Sequence, residues 1–303
     1  MTTRSMIILI AGPTASGKSA LALDLAKRLR GTVINADSAQ VYRDLQILTA
    51  RPTPADMEAA PHALYGHVPG DCPYSVATWL SDIAPLLTGE GVKIVTGGTG
   101  LYFSALTEGI SEIPEIPAEI RAHWRAAQKA TAPETLHKTL AARDPIMAAR
   151  LRPSDPQRIV RALEVIDATG HSLAAFQAER TPPLVTDAIR MVLTPDRTEL
   201  RARIAERFTK MLGQGAEAEV AALMTRGYAT DAPVMKAIGV APLIAAATGE
   251  LPLRDAVTNA VTATRAYAKR QDTWFRNRLS HWSRAKNADA ALAQILATTR
   301  KAP

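Results

Sequence analysis

The chain has 303 residues, 47% of them hydrophobic, which is ample for a buried core, and its single cysteine excludes an internal disulfide and a cysteine-built zinc site. No segment approaches the roughly 20 consecutive apolar residues needed to cross a bilayer. The formal charge of +7 is uneven: Arg254 to Lys286 holds eight basic residues against two acidic ones, +6, with Tyr267, Trp274, Phe275 and Trp282 interleaved. That pattern suits a polyanion with stackable bases, a basic solvated helix face being the plainer alternative.

The first segment, MTTRSMIILIAG, begins like a signal peptide, but its apolar core is only Met6 to Ala11, and Pro13 and Lys18 stand where a cleavage site belongs. It reads instead as a buried parallel strand running into a glycine-rich turn, and SALALDLAKRL then repeats apolar residues at helical spacing. GTVINAD and VKIVTGG are two further predicted strands that end in polar or glycine residues. Strand, helix, strand with ligands at carboxyl ends is the α/β nucleotide-binding plan. From Ser111 to Pro183 the strand signals vanish, which predicts an inserted helical domain entered at EIPEIPAEI and left at TPP. AIRMVLTPD then returns as a strand, ELRARIAERFTKML is a long helix, and the remainder is helical with loops at TRGYATDAP and ATGELP.

Gly12 to Ser19, GPTASGKS, fits G-x-x-x-x-G-K-[ST] at every fixed position and lies between a predicted strand and a predicted helix, as a phosphate loop requires. Gly12, Pro13, Thr14, Ala15, Ser16 and Gly17 would form the turn, whose backbone N–H groups, Pro13 lacking one, surround phosphate oxygens, with the following helix aiming its positive end there. Lys18 adds a point charge, and the Ser19 hydroxyl suits Mg²⁺. The motif does not say whether the phosphates belong to ATP, GTP or another diphosphate. Kinases and ATPases need a further carboxylate at a strand end. Asp37 in VINADSAQVYR is that candidate, its plainer role being a cap or turn. In LRARIAERF, Arg203 and Arg207 share a helical face and could close on a diphosphate or pair with Glu199 or Glu206.

Five blocks, GPTASGKS, DSAQVYR (Asp37 to Arg43), TGGTGLY (Thr96 to Tyr102), DPQRIVRALEV (Asp155 to Val165) and ATRAYAKRQDTWFR (Ala263 to Arg276), occur in the order seen in bacterial tRNA dimethylallyltransferases. The chain resembles that family over most of its length. The resemblance implies a P-loop NTPase-like parallel sheet core in 1–110, an all-helical tRNA-binding insertion in 111–186, and a return to the core plus a basic helical C-terminal part in 187–303. It implies transfer of the dimethylallyl group of dimethylallyl diphosphate to N6 of the adenine at tRNA position 37, with the phosphate loop holding the donor's diphosphate. Asp37 would be the general base, Lys18 and Mg²⁺ would stabilise the leaving diphosphate, and Thr99 would contact the target nucleotide. Arg207 would join the diphosphate site. Asp37, Ser38, Ala39, Gln40, Thr99, Arg121 and Asp155, Pro156, Gln157, Arg158 and Ile159 match positions that touch tRNA, the anticodon stem-loop being the partner.

Two stretches depart from the family pattern: MKAIGVAPL lacks an aromatic and a basic residue at Val240 and Ala241, where Lys236 is the substitute cation, and LQILTARP drifts near Thr49. The expected protein is a cytoplasmic monomer with no membrane association. The rival readings are a P-loop kinase or adenylate prenyltransferase acting on a small nucleotide, and a non-catalytic nucleic-acid binder switched by nucleotide.

Overall fold

The computed structural model describes residues 6–300; residues 1–5, which begin the leader-like segment and the expected 1–110 part, and 301–303 lie outside them. The chain divides into two compact units, Met1–Thr107 with Val185–Pro303, and Glu108–Leu184. The borders fall at 108 and 184 rather than 111 and 186. Val185 is buried in the first unit's core and its N–H donates to the Leu106 carbonyl at 3.0 Å, so the chain has already returned by that residue.

Along the first unit run β1 (Met6–Ala11), α1 (Lys18–Leu29), β2 (Thr32–Asn35), α2 (Pro54–Ala59), β3 (His62–Ala63), α3 (Val76–Leu87), β4 (Val92–Gly97) and α4 (Gly100–Glu108). The helical unit follows with α5 (Ala118–Ala130), α6 (Pro133–Arg143), α7 (Pro145–Arg150), α8 (Pro156–Thr169) and α9 (Leu173–Ala178). The chain then returns through β5 (Ile189–Leu193), α10 (Arg197–Gly213), α11 (Ala216–Met224), a 3₁₀ turn at Pro233–Lys236, α12 (Val240–Ala247), α13 (Leu253–Arg278), β6 (Ser283–Ala285) and α14 (Ala288–Thr299). Strands pair in the order β3-β2-β4-β1-β5-β6, and every pairing is parallel. β1 thus sits centrally, with its carboxyl end opening at the crevice where such sheets bind ligands.

Alternation along β1 explains why it reads as one apolar run. Ile8 and Ile10 face one side with Ile94, Met191 and Leu193, covered by Leu21 and Leu25 of α1 and Ile295 of α14. Leu9 and Ala11 face the other with Val95 and Val192, covered by Trp79, Ile83 and Phe103. A strand buried on both faces has no polar side to display. Phe275 and Trp282, expected among stacking aromatics, are core residues here at 1% and 3% exposure. A third cluster joins Leu45, Leu48, Phe208, Met211 and Val220 to Val240 of α12. Val240 is fully buried, so the residue at this departure from the family pattern fills core, while Ala241 beside it is exposed.

The helical unit closes its own core around Trp124, Leu140, Ile159 and Leu163. Its helices are fixed by side-chain caps: Asp144 accepts the Met147 N–H at 3.0 Å and the Ser172 hydroxyl, and Asp155 accepts the Arg158 N–H at 3.3 Å. Asp167 accepts the Trp124 indole N–H at 2.9 Å and pairs with Arg143. Among the described residues, no helix is long and apolar enough to cross a membrane.

Candidate functional site

The turn after β1 folds because two of its residues adopt the left-handed backbone. Ala15 has φ 61° and Gly17 has φ 91°, while the Ser16 N–H closes on the Pro13 carbonyl at 3.2 Å. Left-handed residues in such a turn direct main-chain amides toward one concavity, the arrangement that holds phosphate oxygens. Gly12 has no space for a side chain, since a Cβ would lie 2.8 Å from Ser16 Oγ and 3.1 Å from Leu193. Lys18 opens α1, and its ammonium donates to the Pro13 carbonyl at 3.3 Å. Gly17 caps that helix without a side-chain hydrogen bond, so its first amides keep their donor capacity.

A second corner forms where β2 and β4 end. Asn35, fully buried, accepts the Asp37 N–H at 2.9 Å and donates to the carbonyls of Asp37 (2.9 Å) and Leu64 (3.0 Å). Asp37 Oδ1 accepts the Ala39 N–H at 3.1 Å. Asp37 thus fills the turn role and also lines both cavities described below. Thr99 donates its N–H to the Ala36 carbonyl at 3.1 Å, and its hydroxyl accepts the Ser38 N–H at 2.9 Å. Gln40 serves as scaffolding: its amide nitrogen donates to the Thr49 and Ala50 carbonyls at 2.8 and 2.9 Å.

Two adjoining cavities share Thr14, Ala15, Asp37, Thr49 and Arg207. One, of about 410 Å³, is walled by the whole cradle from Thr14 to Ser19 with Gln40, Arg203 and Arg207. The other, of about 350 Å³, is apolar through Leu48, Ile204, Phe208, Met211 and Ile238, with Lys236, Tyr267 and Arg270 also on its wall. Arg207 donates to Thr14 Oγ1 at 3.2 Å, whereas Arg203 pairs with Glu199 at 3.0 Å and Glu206 with Lys210 at 2.8 Å. The two arginines of one helical face thus have different work, and Arg207 is the one that reaches the loop.

Burial pulls the Lys18 ammonium down to about 8, with Asp37 opposing and Arg207 adding to the fall. Burial likewise lowers Arg207, again against Asp37. Two desolvated cations with one nearby carboxylate make a site that gains from a multiply charged anion. Mg²⁺ commonly takes one or two protein oxygens and completes its shell with phosphates and water. Ser19, exposed in the cavity wall with Asp37 and Glu206, offers such oxygens, and the described residues contain no cluster of three or more His, Cys, Asp or Glu side chains. The donor set therefore fits an ion shared with a bound diphosphate.

A third cavity, of about 690 Å³, borders Pro13 on the far wall of the cradle and is basic, with Arg197, Arg201, Arg265, Lys269 and Arg276 against Asp272. Asp272 pairs with Arg197 at 3.6 Å and with Arg276. Arg265 Nε is buried without a partner.

In the helical unit, Arg121 donates twice to the Ile116 carbonyl, at 2.9 and 2.7 Å, so much of its guanidinium holds a loop. Asp155 is a helix cap and Pro156 opens α8, while Gln157 and Arg158 are exposed. Ile159 corrects the sequence expectation: it is 0% exposed in the unit's core, and its side chain is withheld from any ligand.

Two residues at the α/β site are not singled out from the sequence, although Gln271 lies within the block Ala263 to Arg276. Glu219 of α11 accepts the N–H groups of Gln46, Ile47 and Leu48 at 2.6, 2.8 and 2.9 Å and so shapes the wall of the apolar cavity. Gln271 of α13 reaches the phosphate loop. Both bridge elements far apart in sequence, which no local spacing reveals.

The sequence pattern described as IPP transferase matches residues 40–278, and that described as isopentenyl transferase matches 5–63. Among curated proteins, the tRNA dimethylallyltransferase of Rhizobium etli strain CIAT 652 is 52% identical over 91% of this chain and 96% of its own. That of Methylocella silvestris is 51% identical over 93% and 96%. Among solved structures, the full-length tRNA isopentenylpyrophosphate transferase of Bacillus halodurans aligns with TM-score 0.70 at 30% identity, covering 98% of this chain and 96% of that one. A eukaryotic dimethylallyltransferase acting on tRNA aligns with TM-score 0.75 at 28% identity over 90% and 70%. With a glycine-rich turn after the central strand of a parallel sheet and a family match across more than half its length, this chain belongs to the IPP transferase family.

Proposed function

We propose that this chain transfers the dimethylallyl group of dimethylallyl diphosphate to N6 of the adenine at tRNA position 37, releasing diphosphate. The observation that carries the reading is the pair of adjoining cavities: a cradle with Lys18 and Arg207 for the diphosphate, opening on an apolar pocket walled by Leu48, Ile204, Phe208 and Met211 for a five-carbon chain, with Asp37 on both. Relatives that are about half identical and carry the name tRNA dimethylallyltransferase support the same choice.

Cleavage of the allylic C–O bond leaves negative charge on the diphosphate, which the loop amides, Lys18 and Arg207 are set to receive. Mg²⁺, held by Ser19 and phosphate oxygens, would supply further charge neutralisation when bound. Asp37 accepts the proton from the adenine amine as N6 attacks, a role worth about 10²–10⁴ in rate. The adenine must leave its stack at a cost of a few kcal/mol. The exposed cations of α13 and the basic cavity beside Pro13 offset that cost through backbone phosphates, and exposed Gln157 and Arg158 of the helical unit add contacts to the anticodon stem-loop. The protein acts as a monomer in the cytoplasm, where tRNA is found.

Incubation with labelled dimethylallyl diphosphate and either unmodified tRNA or AMP, followed by mass spectrometry of the nucleosides, tests the reading. Label on the adenine at position 37 is expected. Transfer to AMP alone, or no transfer, overturns it.

A further inference from the structure

Gln271 stands in α13 at 5% exposure, between two loops that the reaction uses. Its Oε1 accepts the N–H of Thr14 in the phosphate loop at 2.9 Å, and its Nε2 donates to the carbonyl of Gly98, after β4, at 2.9 Å. The amide's orientation is unambiguous, because a main-chain N–H can only donate and a main-chain carbonyl can only accept. The contact is tight: a Cβ on Gly98 would lie 2.2 Å from Gln271 Nε2 and 3.0 Å from Asp37 Oδ2. One turn on, a Cβ on Gly100 would lie 2.3 Å from the Trp274 ring, so α13 grips this loop at two points.

From Gly98 the connection continues through Thr99, whose hydroxyl receives the Ser38 N–H at 2.9 Å beside Asp37. At the other end, Thr14 Oγ1 accepts from Arg207 at 3.2 Å. The donor's anchor and the adenine's base therefore sit on different loops, and a single buried amide from a third element spans them.

We propose that Gln271 is a positioning residue, holding the diphosphate loop at a fixed offset from the Asp37–Thr99 corner so that the allylic carbon and the adenine N6 meet in line. The proposal rests on the transfer reaction proposed above. In-line displacement tolerates little misplacement, an ångström being worth about 10²-fold in rate. A residue that only braces the fold would change stability and the active fraction, not turnover per folded site.

Gln271→Met keeps the volume and removes both hydrogen bonds, and Gln271→Glu retains the acceptor toward Thr14 but has a donor for Gly98 only when protonated. Asp37 and Tyr267 lie beside position 271, and Lys18 and Arg207 flank the same loop; the Asp37 carboxylate favours protonation of the introduced carboxyl, and the two cations oppose it. Single-turnover rates of the full chain with dimethylallyl diphosphate and tRNA, normalised to sites titrated by tRNA, are measured from pH 5.5 to 8.5. The expected result for Gln271→Met is a 10- to 100-fold lower rate with KM for donor and tRNA within about 3-fold, at a ratio to wild type that does not vary with pH. For Gln271→Glu the ratio rises toward one as the pH falls. A wild-type rate per site in Gln271→Met overturns the proposal, as does an equal loss in both variants at every pH. If Gln271→Met does not fold, the pH course of Gln271→Glu decides alone, and failure of both to fold makes the residue a brace and overturns the proposal as well. Absence of transfer by the wild-type chain would instead defeat the reaction assignment.

Discussion

In the α/β unit the sequence blocks follow strands, so Lys18, at the first turn of α1, and Asp37, on a loop, reach cavity walls, while Thr99 receives the Ser38 N–H beside Asp37. In the helical unit the block Asp155–Ile159 starts a helix, and most of its residues are occupied in doing so, for Asp155 caps, Pro156 fits the first turn, and Ile159 is core. The contrast has a physical cause. Parallel strands satisfy their backbone groups against neighbours and leave their terminal loops free, whereas each short helix leaves terminal amides that side chains must satisfy. A motif within a helical insertion is therefore partly a folding instruction, and only Gln157 and Arg158 of it remain exposed at the surface.

The contrast is tested most severely at its two aspartates. Asp37→Ala is expected to lower kcat by about 10²–10⁴ while tRNA affinity stays within a few fold. Equal loss of binding and rate would make Asp37 a turn residue only, like Asp155. Lys18→Met follows, with kcat/KM for the donor down by about 10²–10³, because one preorganised donor to the leaving diphosphate is lost. A value near wild type would leave the amide cradle and Arg207 sufficient alone.

Ile159→Ala probes the other unit. Truncating a fully buried isoleucine costs about 2–5 kcal/mol, read as a lower unfolding midpoint, with donor binding to the α/β unit unchanged. Full stability with weakened tRNA binding would return Ile159 to the recognition surface.

The pH dependence of donor binding gives a subtler test. Lys18 has a folded-state value of about 8 against an ordinary 10.5, so in the free protein it loses its proton as the pH passes 8. A bound diphosphate favours the charged form, and donor affinity should therefore hold below about pH 8 and weaken by up to tenfold per unit above it. The stability contribution has the opposite sign: the unfolded chain binds more protons between 8 and 10.5, and the burial penalty of the ammonium is relieved as the pH rises through that window. Calorimetric titration and chemical denaturation across pH 7 to 10 would separate the two. The smallest effect is expected of Arg158→Ala, which should lower the magnitude of the salt slope of tRNA affinity by about 0.7–0.9, one phosphate contact. An unchanged slope would leave its 3.8 Å pairing with Asp155 as its only use.

Much of the fold and the cradle is legible in the residues, for reasons that differ by position. The strand Met6–Ala11 announces itself because it is buried on both faces, and the cradle because Gly17 and Lys18 must stand where geometry and charge require them. β6 gives no such signal, since Ser283–Ala285 has no apolar run and only completes an edge beside β5. Helical spacing puts Arg203 and Arg207 on one face, but only packing sends the second to Thr14 and leaves the first with Glu199. The aromatics of α13 divide likewise, Phe275 into the core and Tyr267 onto the apolar cavity.

What the chain's order of residues determined by itself was local: a strand, a glycine-rich turn, a helix, and a helical interruption read at 111–186, within a few residues of its borders in the fold, because hydrophobic period and backbone conformation act over a few residues. What only the tertiary structure decided was which side chains meet across long separations: Gln271 with Thr14 across 257 residues and Glu219 under Gln46 across 173. Those pairings depend on how helices lie against the sheet, a property of the whole packed core that no short stretch encodes.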